Sequence, residues 1–503
     1  MTPLADILAD SSHFARGVEL VTTRGTMGEA KATVTRDFAS ELARAGAIDW
    51  VSITDNAGGN PQLSPLALGK PLLYAGKEVL VHLSCKDMNR NALESTAWAM
   101  ASDGFNNILA LSGDYPASGY SGAAKPVFDI DSIGLLKLLS DMNNGLGVAL
   151  PRNQVRTLGG TQFYLGAVVT PYKLRENELV PQLLKLKKKV ETGARFIISQ
   201  IGFDARKAAE LSRYMRDEGM GGVPLVGNVF LMSARLARFF RGGRIAGVVV
   251  SDELVDTCER HAGDRNWFIE FAAKQSAIFK GLGYRGIYYG GVERMADVEA
   301  ILAAERSFAP DDWKQFAREI AYSRPGEFFY YGSARSQPRT SLGYKFNQFV
   351  HDHAFSPDAL LFRLGKATFD HSKNPAQGPR SLRVLELVSK SAMFKCRDCG
   401  DCSLPDIAFL CPESQCAKNQ RNGPCGGTRD GKCEVADFEC IWSRAYDRLK
   451  SEGRETHLLD HAPVVQDQSL RGTSAWGNTF RGVDHHKLTP TGKIECRTGA
   501  SLT

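Results

Sequence analysis

Short apolar runs alternate with longer amphipathic segments from residue 15 to about residue 300. Such runs are typical of strands buried in parallel sheets, and segments such as KATVTRDFASELARAGA and LVPQLLKLKKKVETGAR carry apolar residues at helical spacing. The strand candidates are Val18–Val21, Ile48–Ile53, Val79–Leu83, Ile108–Leu111, Tyr164–Val169, Phe196–Ser199, Pro224–Val226 and Gly286–Tyr289. Eight strand–helix units in about 300 residues predict an α/β fold, the (β/α)8 TIM barrel, with a doubly wound open sheet as the alternative.

A ninth apolar run, Ile245–Val250, is either a strand or a buried loop or helix start. The periodicity weakens after about residue 305, where residues 334–345 look like a loop and ECIWSRAYDRLK like a helix. We therefore divide the chain into a barrel, residues 1–308, and a smaller cysteine-rich metal-binding domain with an extended tail, residues 309–503.

Composition places the chain among globular proteins, with 503 residues, 43% hydrophobic and 23% charged. The net charge of +6 is too mild to predict nucleic-acid binding. The N-terminus lacks a signal-peptide pattern, and no apolar run reaches the roughly 18 residues of a membrane span. We expect a cytoplasmic protein that does not bind membranes, and leave open whether it forms a homo-oligomer.

Eight of the eleven cysteines lie within 45 residues near the C-terminus, in the pattern C-x2-C-x2-C-x8-C-P-x3-C-x8-C-x7-C-x6-C. In a reducing compartment such a cluster predicts metal ligands rather than disulfides. The closely spaced opening and the Cys-Pro pair favour two [4Fe–4S] clusters, with structural zinc as the alternative. The predicted ligands are Cys396, Cys399, Cys402, Cys411, Cys416, Cys425, Cys433 and Cys440, while Cys85, Cys258 and Cys496 receive no role.

Polar residues on or just after the strands are candidates for chemistry, because a barrel keeps its active site at the carboxyl ends of its strands. Glu19 would have a raised pKa if it faces inward, and would simply be solvated if it faces outward. His82 is either functional or a core histidine. Asp114, in the turn SGDYP, could face the barrel mouth or only shape the turn. The lysine run Lys187–Lys189 reads as a solvated helix face, from which one side chain could reach a phosphate.

The series GVELVTTRG, WVSITDNAG, VHLSCKDMNRNAL, ILALSGDYP and LKKKVETGARFIISQ resembles the methylenetetrahydrofolate reductase family over roughly residues 14–300. The segment CRDCGDCSLPDIAFLCP…NGPCGG…GKCEV resembles the cysteine-rich domain that follows some of these reductases or forms a partner subunit. The resemblance implies a barrel that binds a flavin, FAD or FMN, and reduces 5,10-methylenetetrahydrofolate to 5-methyltetrahydrofolate by hydride transfer.

Carried over by position, the resemblance implies that Glu19 is the general acid that protonates folate N10, and that Asp114 lies near both flavin and pterin. Gln200 and Tyr289 would join them in binding folate. The implied flavin contacts are Thr54, His82, Leu111, Ser112, Gly113, Asp114, Ala167 and Lys189, the last as the phosphate partner.

The chain also departs from the family pattern. Ser112 replaces an Arg, Val169 a Tyr, Gln182 an Asp and Ala234 an aromatic residue. These changes leave FAD, FMN and a flavin-free enzyme open, and favour electrons from a ferredoxin or another redox protein through the iron–sulfur clusters. The alternatives are an NAD(P)H-dependent reductase with a structural zinc domain, and a non-redox folate methyl-transfer protein.

Overall fold

The computed structural model describes residues 2–243 and 245–486, so Cys496 and the end of the predicted tail lie outside it. Eight parallel strands close into a barrel in the order β1-β10-β9-β8-β7-β4-β3-β2, which confirms the predicted TIM-barrel class. The strands are β1 (Ala15–Leu20), β2 (Trp50–Ile53), β3 (Glu78–Ser84), β4 (Asn107–Leu111), β5 (Gly147–Leu150), β6 (Gln154–Thr157), β7 (Tyr164–Val169), β8 (Phe196–Ser199), β9 (Leu225–Phe230) and β10 (Gly286–Gly290).

The barrel helices surround these strands, and further helices follow them toward the C-terminus. Those up to residue 319 are α1 (Leu4–Ala9), α2 (Ala30–Arg44), α3 (Pro65–Tyr74), α4 (Arg90–Asp103), α5 (Ser132–Asn144), α6 (Glu176–Glu191), α7 (Ala205–Asp217), α8 (Ala234–Arg241), α9 (Asp252–Arg260), α10 (Arg265–Gly281), α11 (Met295–Arg306) and α12 (Trp313–Glu319). The later ones are α13 (Leu342–Ala354), α14 (Leu360–Asp370), α15 (Arg380–Phe394), α16 (Pro412–Gln415), α17 (Ile441–Lys450) and α18 (Ala475–Arg481).

Strand side chains alternate between the barrel interior and the helix layer, as the period of two requires. The interior is filled by one apolar cluster that includes Trp50, Leu80, Phe196 and Tyr288. The outward positions of the same strands join a much larger core with the helices. Glu19 shares the inward side of β1 with Ala15, because the two residues are an even number of positions apart.

Three local features need comment. The run Ile245–Val250 is an irregular segment before α9, with Val248 and Val250 buried, so of the alternatives left open it is the buried loop and not a ninth strand. The predicted loop 334–345 ends early, because α13 begins at Leu342. The antiparallel pair β5 and β6 lies outside the barrel, and no sequence signal indicated it.

The cysteine-rich region packs directly on the barrel. Ile407, Trp442 and Tyr446 belong to the same hydrophobic core as the barrel helices. Phe328, which follows α12, donates a backbone hydrogen bond to Leu174 and also lies in this core. The proposed boundary after residue 308 therefore remains a prediction. Among residues 2–243 and 245–486, every helix is too short or too polar to span a lipid bilayer.

Candidate active site and cysteine centres

Glu19 places a protonatable carboxyl inside the barrel near its carboxyl end. The residue keeps some surface open to the mouth, yet burial raises the pKa of its carboxyl to about 7. A side chain at Gly290, on the neighbouring β10, would crowd this carboxyl, because a Cβ there would lie 3.3 Å from Glu19 Oε2. A carboxyl with this pKa is present as a proton donor near neutral pH.

Two hydrogen-bonded polar pairs share the barrel interior with Glu19. Ser52 Oγ lies 2.7 Å from His82 Nε2, and burial lowers the pKa of His82 to about 4, so the imidazole is neutral. Asn228 Nδ2 donates to the Tyr288 hydroxyl at 2.8 Å. Burial raises the pKa of Tyr288 well above its ordinary value, and the charge of Glu19 adds to the shift. These neighbours are therefore neutral hydrogen-bonding groups.

Tyr289 does not reach this interior. Its side chain faces the helix layer, where its hydroxyl donates to Glu305 Oε2 at 3.3 Å. Ala167 also faces outward, into the core shared with the helices. A strand buried on both faces gives no sequence signal for which of two adjacent tyrosines points inward, and the structure assigns that direction to Tyr288.

Other predicted residues do gather at the mouth. Leu111 packs on the interior cluster, and Thr54 Oγ1 is buried without a hydrogen-bond partner among the described residues. Asp114 Oδ2 accepts a 2.8 Å hydrogen bond from the Gly58 backbone N–H, which fixes the turn after β4. Gln200 follows β8, and its Oε1 accepts from the backbone N–H of Ile201.

The cysteine-rich region binds the same turn after β4. Ser112 Oγ donates to Gln420 Oε1 at 3.0 Å, and Lys418 Nζ donates to the Gly113 carbonyl at 2.8 Å. Lys418 also pairs with Glu434. Two of the predicted flavin contacts therefore hold the C-terminal region against the barrel mouth.

Buried charged residues of the barrel anchor this region further. Asp131 accepts hydrogen bonds from the backbone N–H groups of Arg421 and Asn422, at 3.1 and 2.8 Å. Lys185 Nζ donates to the carbonyls of Gly423 and Pro424, both at 3.1 Å. Neither Asp131 nor Lys185 stands out in the sequence. The donors to Asp131 lie almost 300 residues further along the chain, and the acceptors of Lys185 almost 240.

The lysine run on α6 is not the solvated face that the sequence predicts. Lys188 is buried and donates to the Leu459 carbonyl at 2.8 Å, whereas Lys187 stays exposed. Lys189 is buried too and donates to the Val168 carbonyl. Burial lowers the pKa of Lys189 to about 7, which weakens it as a partner for a phosphate.

Replacing Lys185 by methionine should destabilise the protein by about 2–4 kcal/mol. Its side chain is 1% exposed, so the substitution would leave the Gly423 and Pro424 carbonyls buried without a donor. The exposed Lys187→Met change is the matched control and should alter stability by less than about 0.5 kcal/mol. Thermal and denaturant unfolding measure the stability of both variants. If Lys185→Met were as stable as Lys187→Met, the Lys185 contacts would not anchor the C-terminal region.

The eight clustered cysteines divide into two sites. The first four, Cys396, Cys399, Cys402 and Cys411, line one cavity. The last four, Cys416, Cys425, Cys433 and Cys440, line another. The short helix α16 separates Cys411 from Cys416, so the two sites are neighbours along the chain. Lys418 and Gln420 line the second site and also bind the turn after β4, which places that site beside the barrel mouth.

Four cysteines line each cavity, and across the described part of the chain no three cysteine Sγ atoms lie within 4.8 Å of one another. Four thiolates on one tetrahedral zinc ion, with Zn–S near 2.3 Å, would be about 3.8 Å apart. A four-iron cluster holds its thiolates farther apart, since each binds a different corner of a cube. The four cysteines of each cavity could supply a complete thiolate ligand set to either kind of centre.

Cationic side chains lie beside the first site. Lys390 and Arg421 line its cavity. Burial opposes the charge on Lys390, but Cys402 and Glu386 raise its pKa above the usual range. Fixed positive charges of this kind stabilise thiolates and the negative clusters that they bind.

Comparison with known proteins agrees with this architecture. Residues 29–276 match the model of the family described as Methylenetetrahydrofolate reductase, and residues 380–468 match the one described as Methylene-tetrahydrofolate reductase C terminal. The barrel belongs to the methylenetetrahydrofolate reductase family. The cysteine-rich region carries that family's C-terminal domain, and the resemblance seen in the sequence is confirmed.

A curated relative of the reductase barrel is the 5,10-methylenetetrahydrofolate reductase of Salmonella typhimurium (strain LT2), which is 32% identical over 130 residues. That match spans 26% of this chain and 36% of the Salmonella protein, little more than a third of its length. The match alone therefore does not assign the activity of the whole Salmonella protein to this chain.

Solved structures similar to the chain include an uncharacterized protein from Clostridium thermocellum described as binding two copies of 5-methyl-5,6,7,8-tetrahydrofolic acid. It has 12% identity and a TM-score of 0.42, and the match covers 58% of this chain and 94% of that one. A second is the dihydropteroate synthase of Yersinia pestis, with 11% identity, a TM-score of 0.31, and 59% and 94% covered.

Proposed function

We propose that this chain reduces 5,10-methylenetetrahydrofolate to 5-methyltetrahydrofolate at the carboxyl end of its barrel. The observation that carries the proposal is Glu19, a carboxyl inside a reductase-family barrel whose pKa burial raises to about 7. Opening the folate five-membered ring needs a proton at N10, and an ordinary exposed glutamate is already ionised at neutral pH.

In this proposal Glu19 donates its proton to folate N10, so that the ring opens to an N5 iminium that can accept a hydride. The absence of a side chain at Gly290 keeps β10 from crowding the acid. Tyr288 replaces Tyr289 as the tyrosine that faces the substrate, and Gln200 and Asp114 keep their predicted folate-binding roles. The neutral interior around Glu19 favours its protonated form until the substrate arrives.

In this proposal a flavin binds at one side of the mouth. Thr54, whose buried hydroxyl has no partner among the described residues, would hold it together with Leu111. His82 would contribute through Nδ1, because its Nε2 already lies 2.7 Å from Ser52 Oγ. When bound, a flavin supplies the hydride. Ser112, Gly113 and Lys189 already bind protein groups, so we do not include them as flavin contacts. The phosphate of the flavin would then be held by other groups, and both FAD and FMN stay open.

The two cysteine sites would each hold a [4Fe–4S] cluster, which supplies one-electron transfer. The closely spaced opening C-x2-C-x2-C and the Cys-Pro pair support iron over zinc. The link from the second site to the turn after β4 supports a role in delivering electrons to the barrel. The electron donor would then be a ferredoxin or another redox protein, and the two family domains would work as one unit.

Metal analysis of anaerobically purified full-length protein tests the electron-delivery part. We expect about eight iron atoms per chain and absorbance near 400 nm that bleaches on reduction. Zinc bound to sulfur at about 2.3 Å, with no iron, would instead favour a structural role for the cysteines and a different electron donor. The assay of folate reduction by the same sample is separate, so the two parts can fail independently.

A further inference from the structure

A histidine–aspartate cluster lies apart from the eight cysteines. Asp406 is in the loop between Cys402 and Cys411, and its Oδ2 and Oδ1 lie 2.9 Å from His485 Nε2 and His486 Nε2 respectively. One ligand atom from each of the three residues falls within 4.8 Å of the others. All three side chains are mostly buried, at 5, 9 and 19% exposure.

Each imidazole faces a second carboxylate through its other ring nitrogen, Nδ1. Nδ1 of His485 contacts Asp401, whose side chain is 1% exposed. Nδ1 of His486 lies 3.5 Å from Asp484 Oδ2. Histidine ligands in metal sites show this arrangement, in which the nitrogen away from the metal faces a carboxylate that fixes the ring.

A third histidine lies within electrostatic reach of the cluster. His461 Nδ1 lies 2.9 Å from the Ala462 carbonyl and 3.5 Å from Lys188 Nζ. Its Nε2 is buried and has no hydrogen-bond partner among the described residues. Burial lowers the pKa of His461 to about 4, so the ring is neutral, and the charges of Asp406 and His485 reach it.

The two imidazoles face Asp406 with the same ring nitrogen. Their ring centroids are 3.8 Å apart, so both Nε2 atoms approach one carboxylate side by side. His486 Nδ1 is buried without a hydrogen-bond partner among the described residues. A divalent cation would be shared by Asp406 and the two Nε2 atoms, which leaves the Nδ1 atoms to carry the ring protons.

We propose that Asp406, His485 and His486 bind a divalent first-row cation of the zinc class. Two imidazoles and one carboxylate form a nitrogen–oxygen ligand set that suits zinc. The cation would tie the segment after α18 to the loop between Cys402 and Cys411, and so brace the first cysteine site. This site does not depend on the proposed reductase activity.

X-ray absorption at the zinc edge tests the proposal on the full-length protein, purified anaerobically and equilibrated with Zn2+ alone. We expect about one zinc per chain with nitrogen and oxygen ligands at about 2.0–2.1 Å. A wild-type protein whose zinc is bound by sulfur alone, or that binds none, would overturn the proposal. This readout separates the new site from any zinc held by the cysteines.

The double variant H485A/H486A should lose about one zinc per chain, and D406N should weaken zinc binding at least ~10-fold. His457→Ala is the control, because His457 and Asp460 form an exposed pair elsewhere on the surface. Circular dichroism and hydrodynamic size report folding, and the wild-type spectrum decides the question if a variant fails to fold. Full retention of nitrogen-bound zinc by the folded double variant would contradict the assignment.

Discussion

Replacing Glu19 by glutamine should lower kcat for methylenetetrahydrofolate reduction by about 10²–10⁴-fold, the usual contribution of a positioned general acid. Glutamine keeps the size of the side chain and its place beside Gly290, but has no proton to donate to N10. Reoxidation of the reduced protein by an artificial acceptor needs no such proton and should be unchanged. Glu41→Gln, on the exposed face of α2, is the matched control and should behave as wild type.

The pH dependence gives a second readout of the same carboxyl. With a pKa near 7, Glu19 is protonated below neutral pH and ionised above it, so kcat should fall as the pH rises through about 7. The residual kcat of Glu19→Gln should not show this fall between neutral and alkaline pH. A variant with near wild-type kcat, or a wild-type rate that is flat between pH 6 and 8.5, would remove Glu19 from the mechanism.

The same shift has a consequence for stability. The folded pKa of Glu19 lies above the ordinary value of 4.5, so the folded state holds its proton over a pH range in which the unfolded chain has already lost it. The wild type therefore loses stability relative to Glu19→Gln as the pH rises from about 4.5 to 7, by up to about 3 kcal/mol. Unfolding of both proteins at pH 5 and pH 8 measures the difference.

The barrel was predictable because its strands and helices each carry their own local pattern. Glu19 was predictable as a candidate for the same reason, since a charged residue in an apolar strand is conspicuous. The direction of adjacent tyrosines in β10 was not, because both faces of that strand are buried and both positions are apolar. The run Ile245–Val250 is buried, as its apolar content predicted, but apolar content alone did not decide whether it is a strand or a loop.

The contacts between the two family domains could not be predicted from local sequence. Lys188 looks like a member of the solvated run Lys187–Lys189, and Lys185 has no predicted role, until carbonyls from residues 459 and 423 are brought to them. Asp131 is likewise an ordinary helix N-cap on α5 in the sequence, yet it also receives two backbone N–H groups of the cysteine-rich region. Partners that distant leave no periodicity for a sequence argument to detect.

Replacing Cys425 by alanine should separate the two halves of the proposed reaction. Cys425 lines the second cysteine site, next to Lys418 and Glu434, where the C-terminal domain meets the barrel mouth. We expect the variant to lose about half of the iron, about four atoms per chain, because one cluster can no longer be held. Folate reduction driven by a ferredoxin-type donor should fall with it, by at least ~10-fold.

The barrel chemistry itself should survive, because Glu19 and the interior of the barrel are untouched by this substitution. Reduction driven by a small artificial donor that reaches the mouth directly should therefore stay within a few-fold of wild type. Cys258→Ala is the matched control, since Cys258 is a buried cysteine on α9, outside the cluster. A Cys425→Ala protein that keeps all its iron and its donor-driven rate would show that the second site is not the route by which electrons reach the folate.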